Sequence, residues 1–106
     1  MSKFYVMGNY TPKALQGFIK NPSQDRAAAA SELSKTIGAT LVSFDIVRGQ
    51  YDFIAAVDAP NFESTAALKM VVVASGNIEN LTILEAVDMK NIDRKSTRLN
   101  SSHVLI

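Results

Sequence analysis

Two carboxylates of this sequence are spaced so that they could act as a catalytic pair. Asp45 precedes the apolar stretch 47–61, which Asp52 and Asp58 interrupt. If Asp45 and Asp52 lie diagonally on one face of a hairpin, their Cβ atoms are roughly 7–8 Å apart or somewhat less. In a partly dry site the pKa of one carboxyl then rises, which suits a general acid or base. Asp52 and Asp45 are therefore the candidate catalytic residues. The alternative is that Asp52 caps a solvated hairpin end and Asp45 pairs with a lysine.

Other polar side chains near this pair could bind a small molecule. Tyr10 and Tyr51 carry phenolic hydroxyls that can donate a hydrogen bond, although aromatic residues of strands more often belong to a core or an interface. Ser43 falls on the same hairpin face as the two aspartates, and Asn9 precedes Tyr10. These four residues are the candidate ligand-binding positions.

The C-terminal segment changes which chemistry is available. Residues 93–103 match, codon for codon, the translation of a common sequencing-library adapter. We therefore expect a single domain over residues 1–92 and a non-native tail over residues 93–106, disordered or irregular. The tail holds three basic residues, one acidic residue and the only histidine, His103. Without it the chain has eight basic and nine acidic residues and neither His nor Cys. This composition excludes imidazole bases, thiolate nucleophiles and zinc sites, so we expect no metal and no cofactor.

Composition also restricts the location and the partners. The 106 residues suit one domain, and no apolar run reaches the length of a membrane span. We expect no signal peptide and, because the sequence has no cysteine, no disulfide framework. We expect a cytoplasmic protein with no nucleic-acid partner and no membrane partner.

Periodicity and capping residues predict the element order β-α-β-β-α-β. The first helix is interrupted at Asn21-Pro22-Ser23, because a residue before proline leaves the helical region. The order predicts an α+β fold of ferredoxin-like type, a four-stranded antiparallel sheet with two helices on one face. The predicted strands are 3–10, 39–48, 51–57 and 78–87, and the predicted helices are 13–19, 24–37 and 62–75.

The central hairpin separates two unlike faces. A two-residue Gly49-Gln50 turn of type II′ would place Val47 opposite Asp52 and Asp45 opposite Ile54. Because directly opposed residues share a face, one face is wholly apolar and meets the helices. The other face is mixed, and we expect a second copy of the chain to cover it. The apolar set is Val42, Phe44, Ile46, Phe53, Ala55 and Val57, and the mixed set is Leu41, Ser43, Asp45, Val47, Asp52, Ile54, Ala56 and Asp58.

Three segments resemble one known family. Residues 49–52, GQYD, fit the G-x-Y-D signature of the GYD-domain family. Residues 8–12, GNYTP, resemble its strand-to-helix junction, and residues 71–78, VVVASGNI, resemble its helix-to-strand passage. The resemblance covers nearly all of residues 3–88 and implies a dimeric α/β-barrel protein of ferredoxin-like fold. No biochemical function is established for that family, so the resemblance assigns no catalytic residue.

Three functions remain open at this point. The first is a small cytoplasmic homodimer that binds a small organic molecule on the open sheet face. The second is a cofactor-free enzyme of oxygenase, isomerase or lyase type that uses Asp52 or Asp45 as acid or base. The third is a purely structural dimerisation module whose open face is filled by the partner.

Overall fold

The chain folds into one four-stranded sheet with helices packed on one side. The computed structural model describes the backbone of residues 1–100 and the side chains of residues 1–96. Within that part the order is β-α-α-β-β-α-β-α, in which the first two helices correspond to the interrupted helix predicted from the sequence. The elements are β1 (Ser2–Tyr10), α1 (Pro12–Lys20), α2 (Arg26–Lys35), β2 (Thr40–Ile46), β3 (Phe53–Ala59), α3 (Phe62–Ala74), β4 (Ile78–Glu85) and α4 (Met89–Asn100).

Polar side chains fix where the helices begin. Thr11 accepts a hydrogen bond from the N–H of the third residue after it and stands directly before Pro12, as predicted. Asn61 caps α3 in the same way. The second helix begins later than predicted, at Arg26, because the carboxylate of Asp25 accepts the N–H of Ala28 at 3.0 Å.

The sheet has the strand order β2-β3-β1-β4, and all three strand pairs are antiparallel. A cluster of buried apolar side chains lies between the sheet and the helices, with α2 and α3 contributing from the helical layer. The predicted α+β, ferredoxin-like arrangement is therefore confirmed. The buried cluster is Phe4, Val6, Ala39, Phe53, Val57, Ala59, Leu68, Val72 and Leu81.

The register of the central hairpin agrees with the prediction, but its turn does not. Asp45 lies opposite Ile54, and the strands end at Ile46 and begin again at Phe53. Residues 47–52 form a wider loop, closed by a 2.9 Å bond from the Val47 N–H to the Asp52 carbonyl. Gly49 has φ +147°, far from the value that a type II′ turn requires. The two-residue turn was therefore wrong, although the pairing counted from it is correct.

A bulge in β2 reverses two predicted orientations. Leu41 lies opposite Val57 and Ser43 lies opposite Ala56, so Val42 is an extra residue without a partner. Because the extra residue shifts the alternation by one, Leu41 packs against the core, whereas Val42 is 53% exposed. The assignment of Val42 to the apolar face and of Leu41 to the mixed face was wrong.

The C-terminal elements also differ from expectation. Strand β4 ends at Glu85, and α4 begins after Asp88, whose carboxylate accepts the Lys90 N–H at 2.9 Å. Residues 93–100, expected to be irregular, continue this helix, consistent with the strong helix preference of their Arg and Lys side chains. The origin of residues 93–106 stays a prediction, and His103 lies outside the described residues. In the part of the chain that is described, none of the helices combines the length and apolarity needed to cross a membrane.

Candidate functional site

Asp52 is held by the end of strand β1. Its Oδ2 accepts the backbone N–H of Tyr10 at 2.9 Å, and its own N–H donates to the carbonyl of Gly8 at 2.9 Å. The pairing of β1 with β3 ends at Gly8 opposite Phe53, so the Tyr10 amide has no backbone partner on β3. The half-buried Asp52 carboxylate therefore replaces a strand as the acceptor for the Tyr10 amide.

Two neighbours of Asp52 complete a connection across three strands. The Tyr51 hydroxyl lies 3.1 Å from Oγ1 of Thr82 on β4. The side-chain amide of Asn9 on β1 donates to the Gln50 carbonyl at 3.2 Å. We call Gln50, Tyr51 and Asp52 the loop clasp, because they tie the β2–β3 loop to β1 and β4. The clasp contains the x-Y-D part of the signature, so these signature positions have a structural role.

A shallow polar depression lies beside the loop clasp. Its volume is about 360 Å³, and it includes Asn9, Tyr51 and Thr82. Two of the predicted ligand-binding residues, Asn9 and Tyr51, are therefore brought together here. Their hydrogen bonds within the fold take up part of their capacity to bind a ligand.

The other predicted residues lie apart from this depression. Asp45 is exposed opposite Ile54, and Ser43 is exposed opposite Ala56. Both residues lie on β2, on the sheet face that the helices leave open. The Asp52 carboxylate bonds to the Tyr10 amide, so it is committed to β1 rather than directed at Asp45. Catalytic roles for the two aspartates and a binding role for Ser43 stay predictions.

The open sheet face is apolar at its centre and charged toward one end. Tyr5 lies between Ala56 and Leu84 in one register row, and Met7 lies between Ile54 and Thr82 in the next. Leu84 is 52% exposed. At one end of the face Lys3 lies opposite Asp58. We define the open face by these residues together with Ser43, Asp45 and Val47.

A second cavity lies on the helical side of the sheet, where the sequence analysis did not place a site. Its volume is about 310 Å³, and most of its lining is hydrocarbon. Ala29 and Ala30 of α2 form part of its wall, and a larger side chain at either position would occupy this space. The run of four alanines is the sequence signal that could have indicated it. Other lining residues are Val6, Leu33, Leu41, Phe44, Leu68 and Leu81.

Tyr10 lies in this helix-side cavity and is surrounded by aromatic rings and a cation. Its ring contacts Phe18 edge-on at 4.9 Å and Phe53 at 5.4 Å between centroids. Cζ of Arg26 lies 3.8 Å from the Phe18 centroid and 5.6 Å from the Tyr10 centroid. Burial raises the pKa of the Tyr10 phenol above its usual value; the Arg26 charge opposes this shift and the Asp52 charge adds to it. Tyr10 was predicted to bind a ligand beside Asp52, but its side chain lines the opposite side of the sheet.

The described residues also limit metal chemistry. Within residues 1–96, where side chains are described, no group of three or more His, Cys, Asp or Glu side chains is placed to hold a metal ion. What the site residues offer is hydrogen bonding, apolar contact and the cation of Arg26.

Comparison with known proteins gives a matching family, a relative of similar sequence and solved structures of similar fold. The GYD domain family model matches residues 4–95. The glutamine synthetase and cystathionine beta-lyase binding protein of Thermus thermophilus is 26% identical over 92 residues, covering 87% of this chain and 95% of that protein. The crystal structure of FFRP-DM1 has a TM-score of 0.55 at 12% identity, over 82% of this chain and 100% of that chain. A crystal structure of a Thermus thermophilus protein has a TM-score of 0.54 at 18% identity, over 83% of this chain and 95% of that chain.

Proposed function

We propose, from the premise that this chain belongs to the GYD domain family, that it is a small homodimeric binding domain that pairs through its open sheet face. The observation that supports this proposal most directly is the apolar centre of that face, half-buried at Tyr5, Met7 and Ile54 and flanked by the exposed Leu84 and Val47. A cytoplasmic location is part of the same proposal.

The apolar centre of the open face gives the pairing its driving force. Tyr5, Met7 and Ile54 occupy two neighbouring register rows, and Leu84 and Val47 extend them toward the two edges. Burial of apolar surface contributes about 25 cal/mol per Å². A second copy of the same face supplies matching apolar rows, as a two-fold interface requires.

The size of the face predicts how strong the pairing is. Four strands about 4.8 Å apart and about seven residues long at 3.3 Å each cover roughly 440 Å² in projection. A stable interface of standard size buries about 800 Å² on each partner. The projected area of the face is therefore only about half of that standard size. We therefore expect a dimer whose population depends on protein concentration.

Light scattering and sedimentation across the micromolar range test the pairing. Leu84→Lys places a charge beside the apolar centre of the face, on strand β4, and should give a monomer. Val71→Lys is the matched control, because Val71 is similarly exposed (59% against 52%) but lies on α3. The same measurement on a chain ending at Ile92 removes any contribution of the predicted tail. A wild-type monomer throughout the range, or equal effects of the two lysines, would refute the proposal.

The dimer also decides between the functions left open by the sequence. The depression beside the loop clasp is the proposed position of a small organic ligand on the open face, with Asn9 and Tyr51 at its edge. If a partner fills that depression, the domain is a structural dimerisation module. If the depression stays open in the dimer and both Asp45 and Asp52 line it, the dimer supports the cofactor-free enzyme. A crystal structure of the dimer distinguishes these outcomes.

A second candidate function is binding to a metabolic enzyme. The similar Thermus protein is named for binding glutamine synthetase and cystathionine beta-lyase. In this chain, α3 exposes Phe62, Met70, Val71 and Val73, and Met70 is 75% exposed. Methionine adapts its shape to irregular protein surfaces, so it suits such a docking surface. We propose glutamine synthetase as the enzyme that binds this surface of α3.

Sedimentation of the purified domain with glutamine synthetase from the same source tests this candidate. Met70→Lys should abolish cosedimentation, whereas Leu84→Lys should retain it if the enzyme binds one copy. Absence of binding by the wild-type domain would count against the enzyme partner and would leave the homodimer untouched.

A further inference from the structure

We infer that the helix-side cavity binds a small carboxylic acid with an apolar body, and that Arg26 receives its carboxylate. This site is separate from the proposed pairing surface, because the cavity and the open face lie on opposite sides of the sheet. The inference therefore does not depend on the homodimer.

The cavity has the size and lining of a ligand site. The cavity is partly open to solvent, so a small molecule can enter it from outside. Here about 310 Å³ remains between the sheet and the helices, at the lower end of the range for small-molecule pockets. The walls come from side chains such as Leu33, Phe44 and Leu68, which offer dispersion contacts and few hydrogen bonds. These walls suit an acyl chain or a single aromatic ring.

Arg26 brings a positive charge to the edge of this apolar space. It is the first residue of α2, and its guanidinium lies on the Phe18 ring. Among the residues with described side chains, the one salt bridge joins Lys35 to Glu32 and does not involve Arg26. The adjacent carboxylate of Asp25 is already bonded to the helix backbone. Within the part of the chain whose side chains are described, the half-buried guanidinium of Arg26 has no carboxylate partner, which favours an anionic group on the ligand.

The neighbouring groups favour a carboxylate over a phosphate. The Tyr10 phenol faces the same cavity, and burial raises its pKa and keeps it protonated well into the alkaline range, so it can donate a hydrogen bond. Asn77 also lines the cavity. Its carbonyl accepts the N–H of Thr11, the residue after Tyr10, so this polar residue lies at the Tyr10 end of the cavity. One guanidinium pairs with one carboxylate through two parallel bonds. A phosphate dianion would leave one of its charges unmatched.

Titration of the ¹⁵N-labelled full chain with octanoate tests the site, with octan-1-ol as the uncharged comparison. Amide shifts should concentrate on cavity positions such as Val6, Ala30 and Leu68 and should spare the open face at Leu84. Octanoate should bind at least about tenfold more weakly to Arg26→Met, as expected when a charge-assisted bond is removed. Octan-1-ol should bind both proteins alike. Arg48→Met is the matched control, since Arg48 lies in the exposed β2–β3 loop and its loss should leave octanoate binding unchanged.

A cavity-filling variant keeps the inference testable if Arg26→Met disturbs the fold. Ala30→Leu extends a side chain into the space and should weaken octanoate and octan-1-ol by the same factor. Three results would overturn the inference: no octanoate binding at millimolar concentration, shifts confined to the open face, or equal affinity of wild type and Arg26→Met for octanoate. Because the oligomeric state is read separately by light scattering, failure of this site and failure of the homodimer are distinguishable.

Discussion

Replacing Asp52 with alanine removes the acceptor of the Tyr10 amide while leaving the loop backbone intact. The bond spans 2.9 Å between the Asp52 carboxylate and the N–H at the end of β1. Asp52 and Tyr10 are both half-buried, so in Asp52→Ala water can only partly replace the lost acceptor of the Tyr10 N–H. An unsatisfied buried donor costs about 1–3 kcal/mol. Partial access to water places the expected loss in the lower half of that range, about 1–2 kcal/mol.

Urea unfolding followed by far-ultraviolet circular dichroism measures this loss, at one fixed protomer concentration because dimerisation would add to the apparent stability. A domain of this size loses roughly 4–8 °C of Tm per kcal/mol, so thermal unfolding provides an independent readout. Asp52→Asn keeps an acceptor oxygen and should lose less than Asp52→Ala. Asp45→Ala is the matched control, because Asp45 is exposed and its free energy of unfolding should change by no more than about 0.5 kcal/mol. If Asp52→Ala is no less stable than Asp45→Ala, the structural role assigned to Asp52 is wrong.

The remaining predictions concern the loop clasp, two glycines and one phenol. Tyr51→Phe should lower stability by about 0.5–1.5 kcal/mol, and a double-mutant cycle with Thr82→Val should show coupling if their 3.1 Å contact is the cause. Gly8→Ala should destabilise by about 1–3 kcal/mol, because its methyl group would lie 3.2 Å from two side-chain carbons of β4. Gly17→Ala should stabilise by about 0.5–1 kcal/mol, since no described atom lies within 4 Å of its methyl group; similar Tm shifts for the two would contradict this reasoning. Because the pKa of Tyr10 is raised in the folded state, its protonated phenol contributes stability that is fully present below about pH 10. This stability is lost as the pH rises through the folded pKa. Tyr10→Phe should therefore reduce the decrease of the urea midpoint at alkaline pH.

Local patterns in the sequence were sufficient for the order of the elements as far as β4 and for the central register. Thr11 and Asn61 are capping residues with an immediate backbone partner, so their role does not depend on distant parts of the chain. The pairing of Asp45 with Ile54 follows from side-chain alternation counted outward from the loop. The β2 bulge could not be predicted this way, because Leu41 and Val42 are both apolar and either one fits the buried side.

The candidate site was predicted less completely because it depends on contacts between distant segments. The acceptor role of Asp52 arises because the pairing of β1 with β3 ends at Gly8 opposite Phe53, which leaves the Tyr10 amide without a partner on β3. The helix-side cavity depends on the separation of α2 from the sheet, which periodicity does not determine. Asn9 and Tyr51 were chosen as polar residues near the aspartates, and the structure brings them together through the loop clasp.

The loop clasp also has a consequence for how fast the protein folds and unfolds. Its three bonds join residues that are 31, 41 and 42 positions apart in the chain. Each of these bonds needs paired strands to bring its two partners together, so we expect the bonds to form after the strands have paired. Interactions absent from the folding transition state affect the unfolding rate and leave the folding rate nearly unchanged. The signature residues would then set the lifetime of the folded chain, so a substitution at Tyr51 or Asp52 would leave the refolding limb of a chevron plot in place and raise its whole unfolding limb.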